Sequence, residues 1–329
     1  MNLPPPSSRQ PVRAAWTLER LRFERMVALG SAIDRSTAIT YSSALQSYVT
    51  FCQSHSFPID PTPDTLSFFT VYMSHHIKPS SIDSYLSGIC NQLEPFYPDV
   101  REARRHRLVT RTLRGCKKLR AIATHRKRPL RRTELVALAP IYTNSNEHDD
   151  MLFFAILLVG FFALIRLGEL VWPDSVKLQD PQKVTMRHTV EMLPNGFSFL
   201  LPAHKADRLF EGNRVIVQET ASADDPVRPF KKYLTSRDTR FPFHSQLWLR
   251  ADGSVPTSGW FIRRLKHHFD DPNVSGHSLR AGGATALAKA GIPAHIIQAI
   301  GRWSSDTFQI YIRHHPVLLA ALLYSVHPS

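Results

Sequence analysis

Residues Met151 to Ile165 read MLFFAILLVGFFALI, an apolar run of 15 residues, the longest in the chain. A membrane-spanning helix needs about 20 such residues, so this run reads as a helix buried on all sides. Burying it takes a large surrounding core. The chain has the material for one, with 43% of its 329 residues hydrophobic and 10% aromatic. That composition excludes a disordered polybasic tail. The length suggests two domains, at about 150 residues each. Cys52, Cys90 and Cys116 are odd in number, widely spaced and without a CxxC pattern. A disulfide scaffold and a zinc ribbon are therefore not expected, and a reducing compartment is. The start, MNLPPPSSRQPVR, has no apolar segment of the kind a secretory signal needs.

Charge is concentrated in one place. The chain carries 41 Lys+Arg against 27 Asp+Glu, a net charge of +14. The window Arg101–Arg132 holds 14 of those cations and a single acid, Glu102. Such a block creates a strong local positive potential, and its natural partner is a polyanion, because each neutralised phosphate releases counterions. A solvated surface or a flexible linker is the plainer alternative. The DNA-facing candidates are Arg104, Arg105, Arg107, Arg111, Arg114, Lys117, Lys118, Arg126, Lys127 and Arg128. The run from His125 to Arg132 also has the make-up of a nuclear import signal. It points to the nucleus in a eukaryote and otherwise to the cytoplasm or nucleoid.

Hydrophobic spacing divides the chain. Residues 1–14 are rich in Pro and Ser and are expected to be disordered. Residues 15–124 read as an all-helical domain of four or five helices. Ala38, Tyr41, Leu45, Tyr48 and Phe51 recur at three- and four-residue steps in 37–52, further helices follow over 64–76 and 80–92, and a basic helix is expected over roughly 101–122. The stretch 125–132 is basic, contains Pro129 and lacks apolar periodicity, so it is expected to link the domains. The second domain is 133–329. Within 183–219 the period shortens, and Phe197–Leu201 and Arg214–Val217 read as strands of a small antiparallel sheet. From 257 onward the pattern is helical again. The expected fold is mainly α, with a small antiparallel β-sheet in the second domain.

Three segments carry residues suited to chemistry. Arg166 closes the apolar helix, would be costly to bury unpaired, and has Glu169 three residues on to hold it. His277 and Arg280 are three apart on an expected helix. Gly276 before them and Gly282-Gly283 after them are expected to leave room for a bulky anion that the planar Arg fork can grip. The third segment, GRWSSDTFQIYIR from Gly301 to Arg313, places Tyr311 on a short helix. A tyrosine hydroxyl is a poor nucleophile near neutral pH unless cations and a base surround it. The pairs His75-His76, His267-His268 and His314-His315 point to different sides of a helix, so no metal site is expected.

The order Arg…Lys…His-x-x-Arg…Tyr in one domain, with HSLRAGG at 277–283 and GRWSSDTFQIYIR at 301–313, resembles the tyrosine recombinases. That family includes phage integrases, Cre-like and Xer-like enzymes and related enzymes of eukaryotic mobile elements. The resemblance covers most of 130–320. It implies a two-domain DNA breaking-rejoining architecture whose helical first domain grips DNA and whose second domain is catalytic. Arg166 matches the first catalytic arginine and Glu169 its acidic helper. Lys205 matches the lysine on the turn after a strand, His277 and Arg280 the His-x-x-Arg pair, and Tyr311 the nucleophile. One position departs. The family usually has His or Trp directly after a glycine ten residues before the tyrosine, whereas here Arg302 follows Gly301 and Trp303 comes one later. Either Trp303 reaches the phosphate or Arg302 supplies a third cation, with Trp303 favoured.

By this resemblance, Tyr311 attacks a phosphodiester of double-stranded DNA. Arg166 and Arg280 clamp the non-bridging oxygens, His277 orients the phosphate, and Lys205 protonates the departing 5′ oxygen. The resulting 3′-phosphotyrosyl link needs no metal, ATP or other cofactor to be rejoined. The resemblance further implies a homotetramer on a DNA synapse. The apolar segment Pro316–Val326 either folds back on its own domain or, as the resemblance implies, docks on a neighbouring protomer. No membrane and no small-molecule substrate are expected. A non-catalytic DNA-binding protein of the same fold and a relaxing type IB topoisomerase remain the alternatives.

Overall fold

The protein is described from a computed structural model, over residues 13–120, 127–202 and 212–303. It packs as two units, Met1–Thr124 and His125–Ser329.

The first unit is helical: α1 (Leu18–Ser31), α2 (Arg35–Ser54), α3 (Pro63–Met73), α4 (Pro79–Leu93), α5 (Val100–Arg105) and α6 (Arg107–Leu119). Helix α3 starts where Thr62 accepts a hydrogen bond from the Thr65 amide at 3.2 Å and Pro63 occupies the first helical position. The core is built from Tyr48, Phe51, Leu66, Phe69, Ile82, Leu86, Ile89 and their neighbours. Each such side chain, once fully buried, is worth about 1.5–3 kcal/mol. At Gly88 a Cβ would lie 2.9 Å from both Ala44 Cβ and Tyr41 Cα, so α4 meets α2 at backbone distance.

The basic segment differs from its sequence reading. The single helix expected over 101–122 is two, α5 and α6, because His106 takes an extended backbone (φ −54, ψ 143) that interrupts the helical hydrogen-bond ladder. The same residue caps the next helix, its Nδ1 accepting from the Leu108 amide at 3.3 Å.

The second unit is built around α8 (His148–Phe162), preceded by α7 (Arg132–Thr143). Every residue from Met151 to Phe161 is buried. The helix stops before the apolar run does. Leu164 is left-handed (φ 51), and the Ile165 amide turns back to the Gly160 carbonyl at 3.1 Å. The four-residue helix α9 (Leu167–Leu170) follows. Three strands, β1 (Glu191–Leu193), β2 (Gly196–Leu201) and β3 (Asn213–Gln218), form an antiparallel sheet in that order. Phe197 faces Val217 and Phe199 faces Val215 in the register, which puts all four side chains into the core. Strand β1 was not anticipated, since its three residues are exposed and carry no apolar alternation. Phe197 stacks at 3.8 Å on Phe230 of α10 (Val227–Arg240), seating the sheet on that helix. Helices α11 (Ser258–His268), α12 (Gly276–Lys289) and α13 (Ala294–Ile300) complete the described part. Among the described residues no helix is long and apolar enough to cross a membrane.

The stretch expected as a linker is bound to the second unit from Arg128 onward. The Arg128 amide donates to the Asn273 carbonyl and the Leu130 amide to that of Ser278, both at 2.9 Å. Leu130 is buried in the core, and the Arg128 guanidinium bridges Glu134 (2.8 Å) and Asp271 (2.5 Å). Lack of apolar period marks this segment as irregular, but irregular backbone can still be fastened through its amides.

His148 opens α8 and is 1% exposed. Its Nε2 lies 2.9 Å from the Leu249 carbonyl and its Nδ1 2.9 Å from Ser236 Oγ. Burial holds its pKa below the ordinary imidazole value. The unfolded chain therefore binds the proton more readily, and stability is lost as pH falls below about 6.5. Thermal melts between pH 8 and 5 are expected to show Tm level down to about pH 6.5 and declining below it. The His148→Gln variant is expected to start lower, by about 1–3 kcal/mol, and to decline less steeply.

Candidate functional site

Three segments of the second unit meet: the corner 164–169, the first turn of α12, and the corner 301–303. Arg166 is not on the apolar helix, and it shares no helical face with Glu169. It stands just before α9 in an extended conformation (φ −71, ψ 138), with Glu169 at the third position of that helix. The contact expected between them forms all the same. Glu169 Oε1 accepts from Arg166 Nη1 at 2.7 Å, and Oε2 accepts from the Arg166 amide at 3.1 Å. The Glu169 side chain is 8% exposed, so its charge is set against arginine with little water between.

Helix α12 is capped by Ser275, whose Oγ accepts from the His277 amide at 3.3 Å. His277 sits exposed on the first turn, while Arg280, one turn later, is 4% exposed. The two residues thus differ in exposure, with Arg280 enclosed by the unit and His277 open to solvent. The glycines around them do not make room for an anion. A Cβ on Gly276 would lie 2.7 Å from Leu167 Cδ2, and one on Gly283 would lie 2.0 Å from the Phe161 carbonyl oxygen. On Gly282 it would reach the Leu130 carbonyl at 2.2 Å. Their role is close packing of α12 against α8, α9 and the 128–130 strap, which fixes where Arg280 emerges.

Arg280 Nη2 donates to the Gly301 carbonyl, and its guanidinium lies 4.2 Å from the ring centre of Trp303. Arg302 is left-handed (φ 53) and turns the other way. Its Nη2 is 3.7 Å from Glu169 Oε2 and 3.4 Å from the Leu164 carbonyl, and its Nη1 is 3.2 Å from the Ile300 carbonyl. Burial pulls its pKa below the usual arginine value, and Glu169 pulls it back. The sequence left open which of Arg302 and Trp303 serves the family position. In the structure Trp303 covers Arg280, and Arg302 joins Glu169. Sequence reasoning did not find the Gly301 carbonyl or the left-handed Leu164 as parts of the site, because backbone groups leave no side-chain signature.

Arg166, Glu169, Arg280, Arg302 and Trp303 are therefore linked through successive contacts, with His277 exposed one turn before Arg280. Three guanidiniums share this cluster with one carboxylate, an excess of positive charge suited to an oxyanion. Lys205, Tyr311 and the segment Pro316–Val326 lie outside the described residues. Among the described residues no group of three or more His, Cys, Asp or Glu side chains could hold a metal ion. Of the histidine pairs, His75 contacts Arg120 at 2.5 Å and His268 contacts the Tyr142 hydroxyl, while His314-His315 lie outside the described residues.

In the first unit, α6 buries Val109, Leu113 and Cys116 and exposes Arg107, Arg111, Arg114 and Lys118. At about 100° per residue the two sets fall on opposite sides of the helix. Arg105, on α5, is also exposed. Other expected DNA contacts are engaged internally. Lys117 pairs with Asp83 at 2.6 Å, and Arg104 with the same carboxylate at 3.5 Å. In the second unit Lys127 donates to the Pro272 carbonyl at 2.6 Å, and Arg128 forms the internal bridge already described. Arg126 lies outside the described residues.

The packing of α12 on α8 gives a direct test. Gly283→Ala forces its methyl against the Phe161 carbonyl and Leu164. Denaturant unfolding is expected to show a loss of about 1–3 kcal/mol or more, with no such loss for Gly291→Asn, where the backbone is left-handed (φ 79) but the space is open.

No protein-family model matches the sequence, and no characterised protein matches it. Solved structures do match in fold. A lambda integrase dimer bound to a COC′ core site aligns with a TM-score of 0.53 at 15% identity, over 90% of this chain and 77% of that one. The Tn1549 transposon integrase in complex with a circular intermediate DNA gives 0.52 at 12% identity, over 82% and 94%. XerH recombinase bound to palindromic difH substrate, as a post-cleavage complex, gives 0.51 at 13% identity, over 80% and 69%. A mainly helical chain with one small antiparallel sheet, aligned over most of its length with these integrases and recombinases, has the tyrosine recombinase fold.

Proposed function

We propose that this chain is a site-specific DNA recombinase or integrase that cleaves and rejoins DNA through a 3′-phosphotyrosyl intermediate on Tyr311. The observation that carries the reading is the joining of Arg166, Glu169 and Arg280 from two distant segments into one positively charged cluster in a chain of this fold. In the proposed reaction, Tyr311 attacks the scissile phosphorus in line with the 5′ oxygen. The P–O5′ bond breaks, the tyrosine–phosphorus bond forms, and the 5′ oxygen takes a proton from Lys205. Arg166 and Arg280 donate to the non-bridging oxygens where charge develops. His277, exposed at the head of α12, orients the phosphate and assists removal of the tyrosine proton. Arg280 lies under Trp303, so a phosphate that reaches it enters where the indole now rests. Rejoining reverses these steps with a new 5′ hydroxyl as nucleophile. No net bond energy is lost, so neither ATP nor metal is called for. The exposed cationic face of α6 supplies affinity for the duplex backbone. The proposed assembly is a homotetramer holding two DNA sites, in the nucleus if the cell is eukaryotic and otherwise in the cytoplasm or nucleoid.

Incubation with a suicide duplex, nicked so that the cleaved fragment diffuses away, tests the chemistry. A covalent protein–DNA adduct is expected for the wild type and none for Tyr311→Phe. Absence of any adduct on the chain's own target would leave the fold as a binding module. Supercoil relaxation without exchange between two sites would favour a topoisomerase.

The α6 face is tested separately. Replacing Arg111 and Arg114 with Ala is expected to weaken binding to all DNA sequences alike. It should lower the slope of log K against log salt by about 1 for each phosphate that is no longer neutralised. Lys117→Ala, which removes a partner of Asp83, is expected to change Tm more than that slope. An unchanged slope in the Arg111/Arg114 variant would place the DNA surface elsewhere.

A further inference from the structure

Arg302 follows the glycine directly, at the position expected to face the phosphate, yet its side chain is 10% exposed and points into the unit. Its fork reaches three oxygens. One belongs to Glu169, one to the Leu164 carbonyl and one to the Ile300 carbonyl. The backbone holds this pose in the left-handed region at Arg302 and meets a second left-handed residue, Leu164, at the other end of the contact. Two sharp corners of the chain, 162–166 and 300–303, are thereby tied through one guanidinium. Glu169 stands between two arginines, Oε1 against Arg166 and Oε2 toward Arg302.

The chemistry of this arrangement differs from that of a phosphate donor. A donor has to present its N–H groups to solvent, where the substrate arrives. The charge of Arg302 is set instead against a nearly buried carboxylate. With the second arginine removed, that carboxylate would have Arg166 as its remaining counter-charge and could rotate toward it. Arg166 would then be drawn out of the orientation set by its present 2.7 Å side-chain contact. A lysine could match the charge but not reach three acceptors from one planar fork. We infer, building on the cleavage reaction proposed above, that Arg302 is a positioning residue that holds Glu169 and the Leu164 corner so that Arg166 is aimed at the scissile phosphate, without touching the phosphate itself.

A double-mutant cycle in single-turnover cleavage of the suicide duplex tests this, with DNA affinity and Tm measured for each protein. Arg302→Met is expected to slow adduct formation by about 10–100-fold through misplacement of Arg166. Affinity for DNA is expected to stay within about two-fold, as the backbone contacts that dominate it lie elsewhere. In a Glu169→Gln background the same substitution should slow cleavage by less than about three-fold, since the two residues act as one unit. Equal slowing in both backgrounds would show Arg302 acting on the phosphate independently and overturn the inference, as would an unchanged rate. If Arg302→Met fails to fold, Arg302→Lys replaces it in the cycle. It is expected to slow cleavage less and to show the same dependence on Glu169. A wild-type chain that forms no adduct overturns the cleavage reaction, and the positioning role with it. A wild-type adduct with an additive cycle overturns the positioning role alone.

Discussion

The second unit is organised by the backbone-close contact between α8 and α12. A helix buried from Met151 to Phe161 can accept a neighbour at that distance only where the neighbour has no side chains, and Gly282 and Gly283 provide the place. The contact does more than fill space. It brings Leu130, Phe161 and Leu164 against one short stretch of α12, so the 128–130 strap, the end of α8 and the head of α12 are fixed together. Protein interiors transmit small displacements because they are close-packed. The direction in which Arg280 leaves its helix is therefore decided two residues further on, by atoms with no chemical role.

Electrostatics then sorts the arginines into two kinds. Arg128, Arg302 and Arg237 are engaged with carboxylates and carbonyls inside the unit. Arg107, Arg111 and Arg114 in the other unit are exposed along one side of α6. The first kind fastens irregular backbone, as where Arg237 takes the Phe241 and Gln246 carbonyls. The second kind shapes the outside field. Counting basic residues in a window cannot separate them: Lys117 and Arg128 stand among the DNA-facing candidates by sequence, and in the fold each is paired with a carboxylate. Their partners, Asp83 and Asp271, are far away in the chain.

Much of the fold was legible because its signals are local. The spacing of Tyr41, Leu45 and Tyr48 fixes a helix, and the alternation of Phe197, Phe199 and Leu201 fixes a strand facing a core. Arg166 with Glu169, and Arg280 within HSLRAGG, could be singled out from residue type and order. What could not be read depends on distant or backbone groups. The break at His106 follows from one residue's backbone angles. The end of α8 comes before the end of its apolar run because Leu164 reverses there, with its side chain buried between Ala284 and Ile297. The partition between Arg302 and Trp303 rests on which side of the 301–303 corner each side chain takes, and no spacing rule carries that.

The cationic stripe of α6 also has a length. From Arg107 to Lys118 it runs about 16 Å at 1.5 Å per residue, close to five base-pair steps at 3.4 Å each. A ruler that short, laid on a duplex as proposed, would touch one arc of it and could not follow the strand around a full turn. In the proposed DNA-binding role, gripping and reading are then separate tasks: the stripe would set how tightly the unit clings, and the choice of sequence would fall to surfaces that can reach the base edges.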